Sequence, residues 1–230
     1  MHFKAIILDL DNTLYAYAPC HHEALAAVSG VMAKELNLSK QTVAQTYEQS
    51  RSEVHRILKG SASSHNRLLY FQRMLELLKV RPFPLAGKLY KLYWEAFIEK
   101  IELSNGVVEL LLWGKKQNRK FAVLTDLTAD VQHEKIIRLG LSDYIDILVT
   151  SEEVGFDKPH PSMFQACLRK LGLSARDVCM IGDDLEKDIY GARNQNITGY
   201  WITEHLTAVP KTSDVKTYGT FQELYENIRG

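Results

Sequence analysis

Apolar positions along the chain change their period twice, and those changes divide it. Residues 3–8 (FKAIIL) form a short apolar, partly β-branched run, closed by the polar stretch Asp9-Leu10-Asp11-Asn12-Thr13. Such a run is too short for a helix and reads as a buried strand. From about residue 21 to 100 the spacing turns helical. Leu25, Val28, Met32 and Leu36 share one face, Val43, Tyr47, Val54 and Leu58 the next, and Leu68, Phe71, Leu75 and Leu78 a third. A fourth face, Leu85, Leu89, Leu92, Ala96 and Phe97, follows the break at Arg81-Pro82-Phe83-Pro84. Tyr90, Tyr93, Trp94 and Phe97 also share that face and read as packing residues. Four consecutive helices after one strand imply a helical unit inserted into a larger domain.

Beyond Ser104-Asn105-Gly106 strands and helices alternate. The pattern predicts a helix over 107–117, a strand over 120–125, a helix over 129–139 closed by Gly140, and a strand over 145–150. A helix runs from Pro161, suited to a first turn, to Leu171 with Gly172 beyond it. Strand 178–182, helix 185–195, strand 199–203 and a helix near 220–228 follow, with 205–217 read as a loop. Strictly alternating elements call for a parallel sheet covered on both faces. The expected fold is therefore α/β: a Rossmann-like, doubly wound parallel-sheet core carrying an inserted helical domain. Residues 1–16 and 104–230 are expected to form the core, and residues 17–103 the insertion.

Composition narrows the function classes. At 230 residues, 46% apolar and 24% charged, the chain can bury a large core and is neither disordered nor fibrous. Lys plus Arg and Asp plus Glu both number 28. No long-range basic field then draws in nucleic acid or an acidic membrane, and an anionic ligand must be held by a few placed groups. Cys20, Cys167 and Cys179 form no C-x-x-C pair, which argues for reduced thiols in a cytoplasm and against a disulfide framework or zinc cluster. Cys167 and Cys179 read as inert core residues. The opening MHFKAIILDLDNT does not read as a signal peptide, and no run is long and apolar enough to span a bilayer. A cytoplasmic monomer or homodimer without nucleic-acid or membrane partners is expected.

In open parallel sheets ligands bind at the carboxyl ends of the strands. After the first predicted strand come Asp9, Asp11 and Thr13, and the second ends in Thr125-Asp126. Asp157-Lys158-Pro159 follows the third, and Asp183-Asp184 and then Asp188 the fourth. A single aspartate after a strand is commonly a cap or turn residue, but capping does not explain four strands ending alike. Carboxylates gathered this way repel and stay ionised only around a cation. An all-oxygen donor set favours Mg²⁺, which shares its remaining positions with water and phosphate. Lys158 and the Thr125 hydroxyl can then hold the other phosphoryl oxygens. With the metal neutralising its charge, one aspartate can attack phosphorus, and the other, two residues on along the same face, can act as acid and base.

These residues resemble the haloacid dehalogenase superfamily over nearly the whole chain. Asp9-Leu10-Asp11-Asn12-Thr13-Leu14, Thr125, Lys158-Pro159 and Gly182-Asp183-Asp184-Leu185-Glu186-Lys187-Asp188 look like its four ordered motifs. The resemblance implies Asp9 as nucleophile and Asp11 as acid/base. It implies Thr125, Asp126 and Lys158 as phosphate-binding residues. Mg²⁺ would be held by Asp9, the Asp11 backbone carbonyl and Asp183, with Asp188 supporting. The helical insertion looks like the cap of subfamily I, which selects the substrate. In the second motif Leu127 stands where the family often has glycine.

Asp11 argues for phosphate chemistry, because the dehalogenases usually lack an aspartate there. The function expected is hydrolysis of a small phosphomonoester: a sugar, sugar-acid or nucleotide phosphate. A phosphomutase is the main alternative, ahead of a dehalogenase or an inactive binding protein. Arg51, His55, Arg56, Arg67 and Arg73 are the cap cations that could meet a second anionic group, with Tyr15 and Tyr17 as further substrate contacts. His21 and His22 read as ordinary residues near a helix start, and His160 as a turn residue.

Overall fold

The structure, a computed structural model, describes residues 3–229; residues 1–2 and 230 of the expected core lie outside the described residues. Its centre is a six-stranded parallel sheet in the order β3-β2-β1-β4-β5-β6. The strands are β1 (Ala5–Leu8), β2 (Lys120–Thr125), β3 (Ile147–Thr150), β4 (Val178–Gly182), β5 (Thr198–Ile202) and β6 (Lys216–Tyr218). Ala5 pairs with Lys120 on one side and Val178 on the other, and Leu8 with Val123 and Ile181. The chain winds outward from β1 through β2 to β3, then returns to the far side of β1 for β4. That reversal opens a crevice beyond the carboxyl ends of β1 and β4, where such sheets bind ligands.

Both faces of the sheet are buried, which is why its strands are continuously apolar. Ile6, Leu8, Phe121, Val123 and Ile181 face one apolar cluster, and Ala5, Ile7, Ala122, Leu124 and Met180 the other. Helices α1 (Tyr17–Leu36), α2 (Lys40–Ile57), α3 (Arg67–Leu77) and α4 (Leu85–Lys100) lie between β1 and α5 (Val107–Lys116), as the helical spacing predicts. They pack α1 on α4, α2 on α3 and α3 on α4. Their apolar faces join the first cluster through Leu10, Leu14, Tyr15 and Phe97. Gly106, at φ 90°, precedes α5 where a Cβ would lie 2.6 Å from the Gln222 backbone.

The remaining helices are α6 (Ala129–Arg138), α7 (Ser151–Val154), α8 (Pro161–Leu171), α9 (Gly191–Arg193) and α10 (Phe221–Arg229). Pro161 and Gly172 sit at the first turn and C-cap of α8 as expected.

Four details depart from the sequence reading. The turn α7, capped by the Thr150 hydroxyl, carries no periodic signal in the sequence. On α3, Arg67 is buried while Leu68 is partly exposed. The stretch read as a loop over 205–217 contains the start of β6. That strand is polar and becomes a strand only by pairing with the open edge of β5. The segment expected as one helix over 185–195 instead makes a π-helical turn, Leu185–Tyr190, followed by the short α9. Such widened turns recur where a side chain is re-aimed into a site, and here that side chain is Asp188.

Candidate active site

At the end of β1, Asp9 N–H still donates to Ile181 O of β4 (2.9 Å). The chain then doubles back. Asn12 takes φ 63°, a conformation asparagine tolerates, and Leu14 N–H donates to Leu10 O (3.0 Å). This tight loop returns the buried Thr13 hydroxyl to within 2.7 Å of Asp9 Oδ2 and 3.1 Å of Asp183 Oδ1. The same hydroxyl accepts from Asp183 N–H (3.0 Å), and Asn12 Nδ2 donates to Asp183 Oδ2 (2.7 Å). Asn12 and Thr13 thus tie the loops after β1 and β4 together.

After β4, Asp184 caps the π-helical turn by accepting from Glu186 N–H and Lys187 N–H (3.0 and 2.9 Å). Asp188 instead points into the site. A Cβ on Gly182 would lie 2.3 Å from Asp188 Oδ2, so glycine there makes room for that carboxylate. Lys158, 4% exposed, donates from Nζ to Asp9 Oδ1 (2.5 Å) and Asp188 Oδ1 (2.7 Å). Asp126 is placed beside it, but its carboxylate is a brace: Oδ1 accepts from Lys158 N–H and Oδ2 from Lys187 Nζ, both at 2.8 Å. The Thr125 hydroxyl is buried and lines the same cavity. Leu127 has φ 104°, so the backbone keeps the glycine-favouring geometry without the glycine, at a strain of order 1–3 kcal/mol.

Carboxylate oxygens of Asp9, Asp183 and Asp188 lie within 4.8 Å of one another. Three carboxylates against the one Lys158 ammonium leave two uncompensated negative charges, the charge of one divalent cation. Without a cation, burial pushes the Asp9 and Asp188 carboxyls up despite Lys158. Burial and the Asp9 charge push Asp183 up to about 6. Burial alone would lower the Lys158 ammonium, but the Asp188 and Asp9 charges hold it well above its usual range. Hard oxygen donors and this charge deficit fit a bound metal ion.

Asp11 does not join that group through its side chain. Its Oδ1 accepts from Lys135 Nζ (2.5 Å) and from the Tyr15 hydroxyl, and its Oδ2 from Gln132 Nε2 (2.9 Å). Burial would raise this carboxyl, but the Lys135 charge and the three hydrogen bonds bring it below its usual range. Gln132 also donates to Thr125 Oγ1 (2.6 Å), linking the second motif to Asp11. The sequence reading missed Gln132 and Lys135. The sequence places both on the α6 face of Val131 and Ile136, and the structure buries them there completely.

A cavity of about 390 Å³ opens above these groups. Asp9, Asp11, Thr125, Lys158 and Asp183 line one side; Tyr17, Arg51, His55, Arg67, Tyr70 and Trp94 line the other. Of the five cap cations expected, Arg51, His55 and Arg67 reach it, whereas Arg56 is exposed elsewhere and Arg73 pairs with Glu53 and Glu76. Tyr17 lines the cavity as expected. Tyr15 does not: it is fully buried, held between Asp11 and the edge of Phe97. His21 bonds the Tyr93 hydroxyl (2.7 Å), and His160 caps α8. All three cysteines are buried and unpaired.

Among the described residues no helix is long and apolar enough to cross a membrane. The chain is 42% identical over 191 residues to the ribulose-1,5-bisphosphate 5-phosphatase of Halopiger xanaduensis, covering 82% of this chain and 80% of that one. It is 30% identical over 193 residues to the glyceraldehyde 3-phosphate phosphatase of Methanopyrus kandleri, covering 82% and 79%. The crystal structure of a HAD phosphatase from Thermococcus onnurineus shares the fold, with a TM-score of 0.74 at 23% identity over 98% of both chains. The family model for haloacid dehalogenase-like hydrolases matches residues 3–196, a span that takes in all four strand-end segments meeting around Asp9; the chain belongs to that family.

Proposed function

We propose that this protein is a Mg²⁺-dependent phosphatase hydrolysing a small phosphomonoester through an aspartyl-phosphate, with residues 1–16 and 104–230 as catalytic core and 17–103 as cap. The observation that carries the reading is the cluster of the buried Asp9, Asp188 and Lys158 with the half-buried Asp183, facing one cavity with Asp11. The names of the relatives favour a sugar phosphate, with sugar-acid and nucleotide phosphates as the neighbouring classes. Asp9, the Asp11 backbone carbonyl and Asp183 would hold the ion, with Asp188 supporting. The bound ion supplies positive charge that offsets the carboxylates and the phosphoryl oxygens.

Asp9 attacks phosphorus; the phosphorus–oxygen ester bond breaks and the leaving oxygen takes a proton from Asp11. Water then attacks the aspartyl-phosphate, giving its proton to Asp11 and releasing phosphate and free Asp9. Lys158 and the Thr125 hydroxyl bind the phosphoryl oxygens. Asp126 holds the Lys158 backbone in place. Lys135 and Tyr15 keep Asp11 ionised in the resting site, so the carboxylate must first take up a proton from solvent before it donates to the leaving oxygen, and moving away from Lys135 favours that uptake. We infer a monomer or homodimer as the working form. Three buried thiols support a reducing, cytoplasmic setting.

The test is phosphate release from a panel of phosphorylated metabolites with nitrophenyl phosphate as reference. Activity is expected to vanish with chelator, return with Mg²⁺ and return poorly with Zn²⁺. An acid-stable phosphoenzyme would not survive hydroxylamine. Full turnover in EDTA would overturn the reading. Accumulation of a bisphosphate intermediate would favour a phosphomutase.

A further inference from the structure

Arg67 is the first residue of α3 and only 7% exposed. Among the described residues no carboxylate pairs with it. One Nη1 proton goes to the His65 carbonyl oxygen (2.5 Å), and Nη2 donates to the Tyr17 hydroxyl. Its Nε has no hydrogen-bond partner. The guanidinium lies 5.3, 5.6 and 5.3 Å from the ring centres of Tyr70, Tyr93 and Trp94.

Burying a cation without an anion is costly, and a helix N-terminus adds like charge. Aromatic faces offset part of that cost, but no ring accepts the Nε proton as an anion's oxygen would. Arg67 also lines the cavity that holds Asp9 and Lys158. The other basic groups on that wall have partners. His65 meets Asp157 (3.2 Å), His55 meets the Tyr70 hydroxyl (2.7 Å), and the exposed Arg51 reaches Glu48 (3.1 Å). No carboxylate from α1–α4 lines the cavity. One end of the cavity is therefore built for the transferred phosphoryl group, and the other presents an unpaired cation.

We propose that Arg67 is the centre of a second anion subsite, and that the substrate is a phosphomonoester carrying another phosphate or a carboxylate remote from the transferred phosphoryl. Arg51, at the cavity rim, supplements it. This rests on the phosphatase reading and goes beyond it by fixing the charge of the leaving group.

The experiment uses the Mg²⁺-loaded enzyme and two matched pairs: ribulose 1,5-bisphosphate against ribulose 5-phosphate, and 3-phosphoglycerate against glyceraldehyde 3-phosphate. Nitrophenyl phosphate reports the basic reaction. The quantity read is the ratio of kcat/KM within a pair, which is insensitive to the fraction of enzyme folded. The wild type should prefer the more anionic member of at least one pair by about tenfold or more, and the pair that shows it identifies the second anion as phosphate or carboxylate. Arg67→Met should cut that ratio by roughly ten- to a hundredfold, chiefly through KM, and Arg67→Lys should restore part of it. Arg51→Ala, at an exposed position, should give a smaller fall and serves if Arg67→Met does not fold. Ratios near unity in the wild type, or an unchanged ratio in the Arg67 variants, overturn the subsite while nitrophenyl phosphate turnover leaves the phosphatase reading standing. Failure on every compound, nitrophenyl phosphate included, removes both.

Discussion

Replacing Lys158 by methionine removes one charge while nearly keeping the side chain's volume. In the native site its ammonium touches Asp9 at 2.5 Å and Asp188 at 2.7 Å, with 3% of the side chain exposed. Taking one partner out of a buried ion pair typically costs about 3–5 kcal/mol, because the remaining charge is left uncompensated. For a chain of 230 residues, each kcal/mol lowers Tm by about 2–4 °C, so a fall of roughly 6–20 °C is expected in the metal-free protein. The pH dependence follows from the raised Asp9 and Asp188 carboxyls. A carboxyl whose folded pKa is raised binds more protons folded than unfolded, so its contribution to stability falls as pH rises through that range. Losing Lys158 raises both further, and the Tm deficit should be larger near about pH 8 than near about pH 5. Mg²⁺ should recover part of it. Turnover of nitrophenyl phosphate should drop by about 10²–10³, the usual effect of deleting one group that stabilises transition-state charge. Thermal melts at both pH values, with and without Mg²⁺, together with steady-state rates, provide the assay. A variant melting within about 2 °C of wild type at the higher pH, with near-normal turnover, would refute the reasoning.

Three further outcomes are expected. Asp9→Asn should abolish phosphoenzyme formation, while Asp11→Asn should lose far more activity on alkyl phosphates than on nitrophenyl phosphate, whose leaving group needs little protonation; equal losses on both would remove the acid/base role from Asp11. Lys135→Met deletes the charge that brings the Asp11 carboxyl down, so burial should raise it and move the acid limb of the kcat profile to higher pH, and an unmoved limb would show that Lys135 does not tune Asp11. Because Asp183 is pushed up to about 6, protons should compete with the metal below that pH; calorimetry should find Mg²⁺ affinity falling by up to about tenfold per pH unit there, with proton release, and a flat affinity would contradict the cluster's role.

Local pattern determined much of this protein. The short apolar run ending in Asp9-Leu10-Asp11, the four helical faces after it and the alternating elements beyond residue 104 made the parallel sheet and its helical insertion legible. Strand-end aspartates pointed to the crevice, because a parallel sheet delivers the ends of its strands to one edge. Tertiary structure decided the rest, since periodicity describes one element at a time. β6 exists through pairing with β5, and the turn after β4 widens while Asp188 packs against Gly182 and meets Lys158. Strand alternation predicts a shared face for the two i, i+2 aspartates. The loop at Asn12 instead sends the Asp9 carboxylate to Lys158 and the Asp11 carboxylate to Lys135. In the sequence Lys135 is one of 28 cations with nothing to single it out, and Arg67 is one of five cap cations with nothing to rank it above the others. Only the packing of α6 and α3 shows both buried, one against Asp11 and the other with no acid beside it. Burial turns an ordinary lysine or arginine into a strong electrostatic element, and burial is a property of the assembled fold.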